Sequence, residues 1–362
     1  MAGNSFGEVF RITTFGESHG KGIGAVVDGC PSGIDLTDED FLHEMARRRP
    51  GGSEFDTPRR EDDRVEILSG VFDGSTTGSP IALFIKNKDA RSKSYDHIKN
   101  LFRPGHGDFT YYKKYGHYDY RGAGRYSARE TAARVAAGVI AGKIISKANV
   151  NVTAYTIEIG GIRAEKIDLS MIDKNPLCCP DMEKYKKMAK ALSDVKEKGD
   201  SLGGVVEVIV KGCPPGLGEP VFDKLSADLA KAVMSIGAVK GFEIGAGFEA
   251  ARLKGSENND PITGNGFATN NSGGILAGIS NGDDIILRAA IKPIPSIGIE
   301  QDTIDKQGNP TNIKTAGRFD VTAIPRVIPV LEAMVKIVLA DHYLRNSIMS
   351  IFRNESGIEN GK

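Results

Sequence analysis

Two histidines of this chain stand inside glycine-rich segments, Gly16-Glu17-Ser18-His19-Gly20 and Arg103-Pro104-Gly105-His106-Gly107. An imidazole ordinarily titrates near neutrality, so a histidine on such a turn can swing a nitrogen toward a ligand and give or take a proton there. One histidine of this kind is commonly just a turn residue bonded to backbone. Two in one chain, the second preceded by Arg103, exceed what turn chemistry needs.

A third segment, Gly122-Ala123-Gly124-Arg125-Tyr126-Ser127-Ala128-Arg129-Glu130-Thr131, leads into an alanine-rich stretch. Ser127 followed three residues later by Glu130 is the pattern of a capping box, and the upstream glycines let backbone approach a ligand. The pattern predicts an anion site at a helix start, with Arg125 and Arg129 beside the unpaired N–H groups. Further cations come as Arg47-Arg48-Arg49 before Pro50-Gly51-Gly52, as Arg59-Arg60, and as Lys292 in Lys292-Pro293-Ile294-Pro295-Ser296. The arginines form a positive edge able to grip carboxylate or phosphate. Arg318-Phe319-Asp320 pairs a cation with a carboxylate that could act as a base, though an ordinary ion pair has the same signature. Tyr111-Tyr112-Lys113-Lys114-Tyr115 interleaves aromatics and lysines as a nucleic-acid strip does. In a chain with 47 Lys and Arg against 47 Asp and Glu, a solvated surface is the better reading of that short run, and no nucleic-acid partner is expected. There is no P-loop, Gly122-x-Gly124 lacks the third glycine of a dinucleotide fingerprint, and the histidines show no metal spacing, so no metal is expected.

The elements that must position these groups follow from periodicity. Strands are predicted over residues 9–15, 64–70, 80–87, 152–159, 204–211 and 283–292. Helices are predicted from Thr37 to Pro50, from Ser127 to about Ala148, over Asp181–Glu197, over Asp223–Ile236 and over Pro329–Leu344. The mixture lacks a βαβ rhythm and uses turns such as Asn281-Gly282, which favours an α+β fold with antiparallel sheets. Without a Pro/Ser-rich linker, residues 1–353 read as one domain and 354–362 as a frayed tail. Cys30, Cys178, Cys179 and Cys213 suit a reducing cytoplasm. The absence of an apolar leader, and Glu332 and Lys336 within the most apolar late stretch, predict neither secretion nor a membrane span.

Taken together, the two histidine segments, residues 124–131, Gly273-Gly274-Ile275-Leu276 and Arg318-Phe319-Asp320 closely resemble the chorismate synthase family, in that family's order and over nearly the whole chain. The resemblance implies a β-α-β sandwich with helices between antiparallel sheets, and a homotetramer. It implies anti-1,4-elimination of phosphate and a ring proton from 5-enolpyruvylshikimate 3-phosphate, giving chorismate, with reduced FMN required but no net redox change. Carried over by motif, His19 would protonate the departing phosphate and His106 would keep the reduced flavin monoprotonated. Asp320 would assist proton removal through the flavin's N5, with Ser18 and Ser127 as relays. Flavin contacts would be Arg125, Tyr126, Ser127, Gly237, Ala238, Ala277, Lys292, Pro293, Ile294, Pro295, Ser296 and Arg318. The substrate's phosphate and carboxylates would meet Arg48, Arg49, Arg60, Arg103 and Arg129, and Arg48 is also the position linked to NADP.

Departures from the family pattern fall on flavin contacts. Tyr126 replaces a second serine, Gly237 an Asn, Ala277 a glycine and Ile294-Pro295 a Thr-Ser pair, while Glu54 stands where bacterial relatives have an arginine associated with NADPH. No long insertion suggests a built-in reductase, so a separate flavin reductase, with NADPH only as external reductant, would supply reduced FMN. Two rival classes are an NADPH-dependent flavin oxidoreductase, which would oxidise NADPH without any phosphate ester, and a nucleic-acid binder, whose affinity would fall steeply with salt.

Overall fold

The computed structural model describes residues 3–52, 54–56, 61–88, 98–315 and 319–355. The first half runs β1 (Ser5–Phe6), β2 (Arg11–Gly16), β3 (Gly22–Asp28), α1 (Leu42–Arg48), β4 (Val65–Ile67), a ribbon β5 (Val71–Phe72) and β6 (Ser75–Thr76), β7 (Ile81–Lys86), α2 (Asp108–Tyr115) and α3 (Thr131–Ser146). The second half runs β8 (Asn151–Ile159), β9 (Ile162–Arg163), α4 (Met182–Glu197), β10 (Gly204–Lys211), α5 (Leu225–Met234), β11 (Val239–Ile244) and α6 (Gly255–Asn258). It continues through hairpins β12–β13 (Ile262–Thr263, Gly266–Phe267) and β14–β15 (Ile275–Leu276, Ile279–Ser280), then β16 (Ile285–Ile291), hairpin β17–β18 (Gln301–Ile304, Pro310–Ile313) and α7 (Ile324–Glu355).

Two five-stranded sheets, ordered β1-β2-β3-β7-β4 and β11-β16-β10-β8-β9, are antiparallel throughout. Their central strands alternate because one face is buried and the other is less so. In β7, Ile81, Leu83 and Ile85 point inward; in β16, Ile285, Leu287, Ala289 and Ile291 do. On the opposite face of the second sheet, Arg288 bridges Glu243 at 3.0 Å and Glu207 at 3.5 Å across neighbouring strands.

Helix α3 packs on β3 and β7, α7 packs on β8 and β10, and the two helices pack on each other. The layers are therefore sheet, helices, sheet, the α+β sandwich expected from the resemblance. A helix with neighbours on both sides must be apolar nearly all round, as Ala132, Val135, Ala136, Ile140, Ala141 and Ile144 of α3 are. Close approach needs small residues: a Cβ on Gly138 would lie 2.4 Å from Ala333 Cβ of α7. Arg47 of α1 forks onto the buried Glu332 of α7 at 2.6 and 3.1 Å, and Glu332 also accepts the Ala154 N–H of β8 at 2.9 Å.

Several elements differ from the sequence expectations. Helix α7 begins at Ile324, not Pro329, and extends to Glu355, beyond Leu344. Pro329 costs one backbone hydrogen bond, but the burial of Ile324, Val327 and Ile328 holds the first turns helical. Strands β3 and β11 are not among the strands that periodicity predicts. The Tyr111–Tyr115 segment is part of α2, and Tyr111 packs on Tyr126 at 4.3 Å between centroids, so the run is not simply a solvated surface.

Gly138→Val is expected to lower stability by about 1–3 kcal/mol through overpacking of the α3–α7 contact. Thermal melts check this, and a Gly138→Val protein as stable as the parent would contradict the contact.

Candidate functional site

The turn between β2 and β3 carries Ser18 and His19. Ser18 is buried; its Oγ donates to the Gly122 carbonyl at 2.8 Å and its N–H to the Gly124 carbonyl at 3.2 Å. The His19 ring lies on Gly122, where a Cβ would fall 2.5 Å from His19 Nε2, and the backbone there is left-handed at φ +55°. Glycine meets both demands. Nearby, burial pushes the Asp119 carboxyl up, but the hydrogen bonds and charge of Arg121, with a contribution from His19, hold it below the usual range.

Asn87, just past β7, joins this turn to α3. Its Nδ2 donates to the carbonyls of Glu17 and Gly20 at 2.9 and 3.0 Å, and its Oδ1 accepts from Arg129 Nε at 2.9 Å. Arg129 also pairs with Asp63, which takes Arg48 Nη1 at 3.1 Å on its other oxygen. Arg48 further donates to the Ala128 carbonyl at 2.6 Å and to Thr131 Oγ1 at 3.3 Å. Burial lowers Arg48 to about 10, with Asp63 opposing, so it stays charged at neutral pH. Burial raises the Asp63 carboxyl, and the two arginines outweigh it and bring it down.

The Arg48 and Arg129 side chains, expected at the substrate, are 2% and 4% exposed and share the Asp63 carboxylate. Of Arg47, Arg48 and Arg49, only Arg49 is exposed. The capping box also differs. Ser127 Oγ accepts the Arg129 N–H at 3.3 Å and caps a short 3-10 turn, Ala128–Glu130, but the Glu130 carboxylate reaches Arg134 at 2.6 Å because an i,i+4 cation is available.

Arg125 Nη2 donates to the Thr14 carbonyl at 2.9 Å and to Asn4 Oδ1 at 3.2 Å. Its Nη1 is buried and has no hydrogen-bond partner; Glu130 stands 3.9 Å away. That unanswered donor is one of few among the described residues and suits an anionic group.

The His106 turn is fixed by α2. Asp108 in the first turn takes Arg103 in a fork, 2.8 Å at each oxygen, and accepts the Arg103 N–H at 3.0 Å. Tyr126 Oη donates to Asp108 as well, and its ring stands edge-on to His106 at 6.0 Å between centroids. Burial, then the Arg103 charge, lowers His106 to about 4, so the imidazole is neutral at pH 7. Burial and then Asp108 push the Tyr126 phenol far up, so it remains a donor. Lys292 Nζ donates to the Gly105 carbonyl, and the Lys292 N–H donates to the Ala238 carbonyl at 2.9 Å. A side chain at Gly237 would meet no atom within 4 Å.

The Ile294 carbonyl accepts from Ser201 Oγ at 2.7 Å, and the next residue, Leu202, donates its N–H to the Val321 carbonyl at 2.9 Å. That brings in Asp320, which receives Arg326 Nη1 at 2.6 Å; Arg326 Nε in turn reaches the Arg48 carbonyl at 3.3 Å. His19, Ser18, Arg125, Tyr126, Ser127, His106, Arg103, Ala238, the Lys292–Ser296 segment and Asp320 are thus joined in one ring of contacts. Ala277 is not drawn into it by any contact among the described residues: its turn, left-handed at φ +51°, packs on Lys224 and Leu225. A left-handed backbone of this kind is one that glycine adopts without strain. Arg60 and Arg318 lie outside the described residues. A small cavity of about 50 Å³, lined by Phe6, Asp228, Asp341 and His342 among others, shares no residue with the ring.

Sequence reasoning missed Asp63, Asn87, Asp108 and Asp119. Asp108 carried a signal, an acid in the first turn of a helix beginning right after His106-Gly107. Asp63 and Asn87 carried none, since their partners are distant in sequence.

The chorismate synthase family profile matches residues 10–344. A chorismate synthase of Desulfatibacillum aliphaticivorans is 60% identical over 347 residues, covering 96% of this chain and 97% of that protein. One of Methanosarcina acetivorans is 55% identical over 362 residues, covering 97% and 98%. A crystal structure titled chorismate synthase superposes with a TM-score of 0.74 at 35% identity, covering 94% of this chain and 93% of that one. Motif order, fold and likeness over nearly the full length agree: the chain belongs to the chorismate synthase family, lyases of the shikimate route to the aromatic amino acids.

Proposed function

We propose that the ring around His19 and His106 carries out anti-1,4-elimination on 5-enolpyruvylshikimate 3-phosphate, with reduced FMN present and no net redox change. A ring C–H and the C–O bond to phosphate break, a new ring C=C forms, and phosphate and a proton leave. The observation that carries this reading is the pair of glycine-flanked histidines tied into one network of contacts. A flavin suits the residues present: the unpartnered Arg125 Nη1 for its phosphate, Tyr126 and His106 as a ring-lined wall, and the open space at Gly237. Reduced FMN, when bound, supplies electron density to the ring carbon that loses phosphate.

His19, beside Ser18 and Asp119, hands a proton to the departing phosphate. Neutral His106 can hold a proton at one nitrogen and accept a hydrogen bond at the other. Asp320, oriented by Arg326, is the carboxylate that assists proton removal, with Ser127 a relay. Arg48, Arg49, Arg60, Arg103 and Arg129 are the cations that meet the substrate's phosphate and carboxylates. We take residues 1–353 as one cytoplasmic domain supplied with reduced FMN by a separate reductase, NADPH serving only as external reductant. Assembly as a homotetramer is supported by large apolar side chains left on the surface, Phe222 at 90%, Ile262 at 77% and Phe248 at 73% exposed.

Under anaerobic conditions, pre-reduced FMN and the phosphate substrate should give chorismate, with turnover stopping in air and little NADPH consumed without substrate. Steady aerobic turnover with NADPH and oxidised FMN alone would contradict external reduction, and no chorismate under any condition would contradict the function.

His19→Ala and His106→Ala should each slow turnover at least ~10-fold, at the cautious end of what a positioned acid or base contributes. His106 has a folded pKa of about 4, below the ordinary 6.5. Its neutral form therefore stabilises the fold fully above pH 6.5, and this contribution is lost as pH falls toward 4, because the unfolded chain takes the proton first. His106→Asn should flatten that acid-side slope in melts measured from about pH 7 to about pH 4, the window set by the two protonation equilibria; an unchanged slope counts against the buried neutral imidazole. Light scattering should return the mass of four chains, and a monomer at micromolar concentration would remove the tetramer.

A further inference from the structure

We infer that Asn87 is the positioning residue for His19, a role that rests on His19 being the acid of the proposed reaction. The His19 turn touches the rest of the site from two sides. On one, Ser18 and the His19 ring close on Gly122. On the other, the Asn87 amide spans the turn, donating to Glu17 O at 2.9 Å and Gly20 O at 3.0 Å, the carbonyls that bracket Ser18 and His19. The Asn87 backbone N–H adds a third tie, to the Lys21 carbonyl at 3.2 Å. Its remaining side-chain atom, Oδ1, accepts from Arg129 Nε at 2.9 Å, so the turn is referenced to the buried Asp63 cluster at the start of α3.

Only a carboxamide has this valence. The NH2 supplies two donors to two carbonyls, and the oxygen supplies the acceptor a guanidinium requires. A carboxylate of the same shape would keep, and strengthen, the contact to Arg129 while placing a negative oxygen against both carbonyls. Serine and alanine lack the reach. The amide therefore couples two things that must stay in register, a glycine-rich turn bearing an acid and a rigid buried charge cluster. Displacing the acid by even about 1 Å weakens transition-state stabilisation more than substrate binding.

The test is Asn87→Asp in the full-length enzyme, assayed anaerobically with pre-reduced FMN and the phosphate substrate, beside His19→Ala and the double variant. Asn87→Asp should lower kcat at least ~10-fold with KM changed less than about 3-fold, since an interaction lost mainly in the transition state acts on kcat. In the His19→Ala background it should lower kcat by less than about 2-fold, because the two residues act as one unit. In 15N-imidazole spectra without substrate, Asn87→Asp should shift the His19 signals and leave those of His106 in place. If Asn87→Asp melts early, Asn87→Ala carries the same cycle without added charge. Unchanged kcat, a loss confined to KM, unmoved His19 signals or an additive loss in the double variant would each overturn the proposal. Wild-type rates in His19→Ala would instead overturn the role of His19 itself.

Discussion

A buried carboxylate, Asp63, holds two guanidiniums at once, and the floor of the site depends on that arrangement. Arg48 comes from the end of α1 and Arg129 from the turn before α3, while Asp63 lies just before β4 in a left-handed conformation at φ +50°. Each charge, left alone in such a place, would cost several kcal/mol, so the cluster is stable only when complete. Arg48 then reaches on to the Ala128 carbonyl and Arg129 to Asn87. The segments that carry Ser127 and His19 are thereby placed relative to a group that cannot shift without exposing an unpaired charge.

The sandwich supplies the other half of the geometry. The α3–α7 contact, closed over Gly138 and Ala333, fixes where α3 begins, and hence where the 119–131 loop must arrive. The strand ends bring the remaining loops: β2–β3 carries His19, the end of β7 carries Asn87 and the end of β16 carries Lys292. Three consecutive residues with positive φ, Gly122, Ala123 and Gly124, coil the backbone tightly enough to press it against His19. Two histidines then meet different fields. His106 sits beside Arg103 and is driven neutral, whereas His19 sits near the Asp119 carboxylate. At His106 burial and the Arg103 charge outweigh the opposing Asp108 carboxylate.

Much of this was legible in the sequence. Strand β10 falls on its predicted residues and α4 begins one residue after its cap Asp181. What periodicity could not show is where long side chains turn. Nothing in the spacing of Arg48, Arg103 and Arg129 shows that they pair with Asp63 and Asp108. Glu130 fits a capping box until Arg134 takes it. Strand β3, Gly22–Asp28, hides behind glycines that are there because Phe15 and Phe84 rings lie against them, and α2 hides in a tyrosine-lysine run whose rings pack on one another. In each case the deciding contact is distant in sequence or depends on a side-chain direction.

The most direct test of the account is a crystal structure with FMN and the phosphate substrate bound together. The account predicts the flavin phosphate at Arg125 Nη1, the flavin ring against Tyr126 and within hydrogen-bond reach of His106, and the substrate phosphate within reach of His19. A flavin bound elsewhere, or a substrate phosphate far from His19 with the two histidines facing solvent, would contradict it.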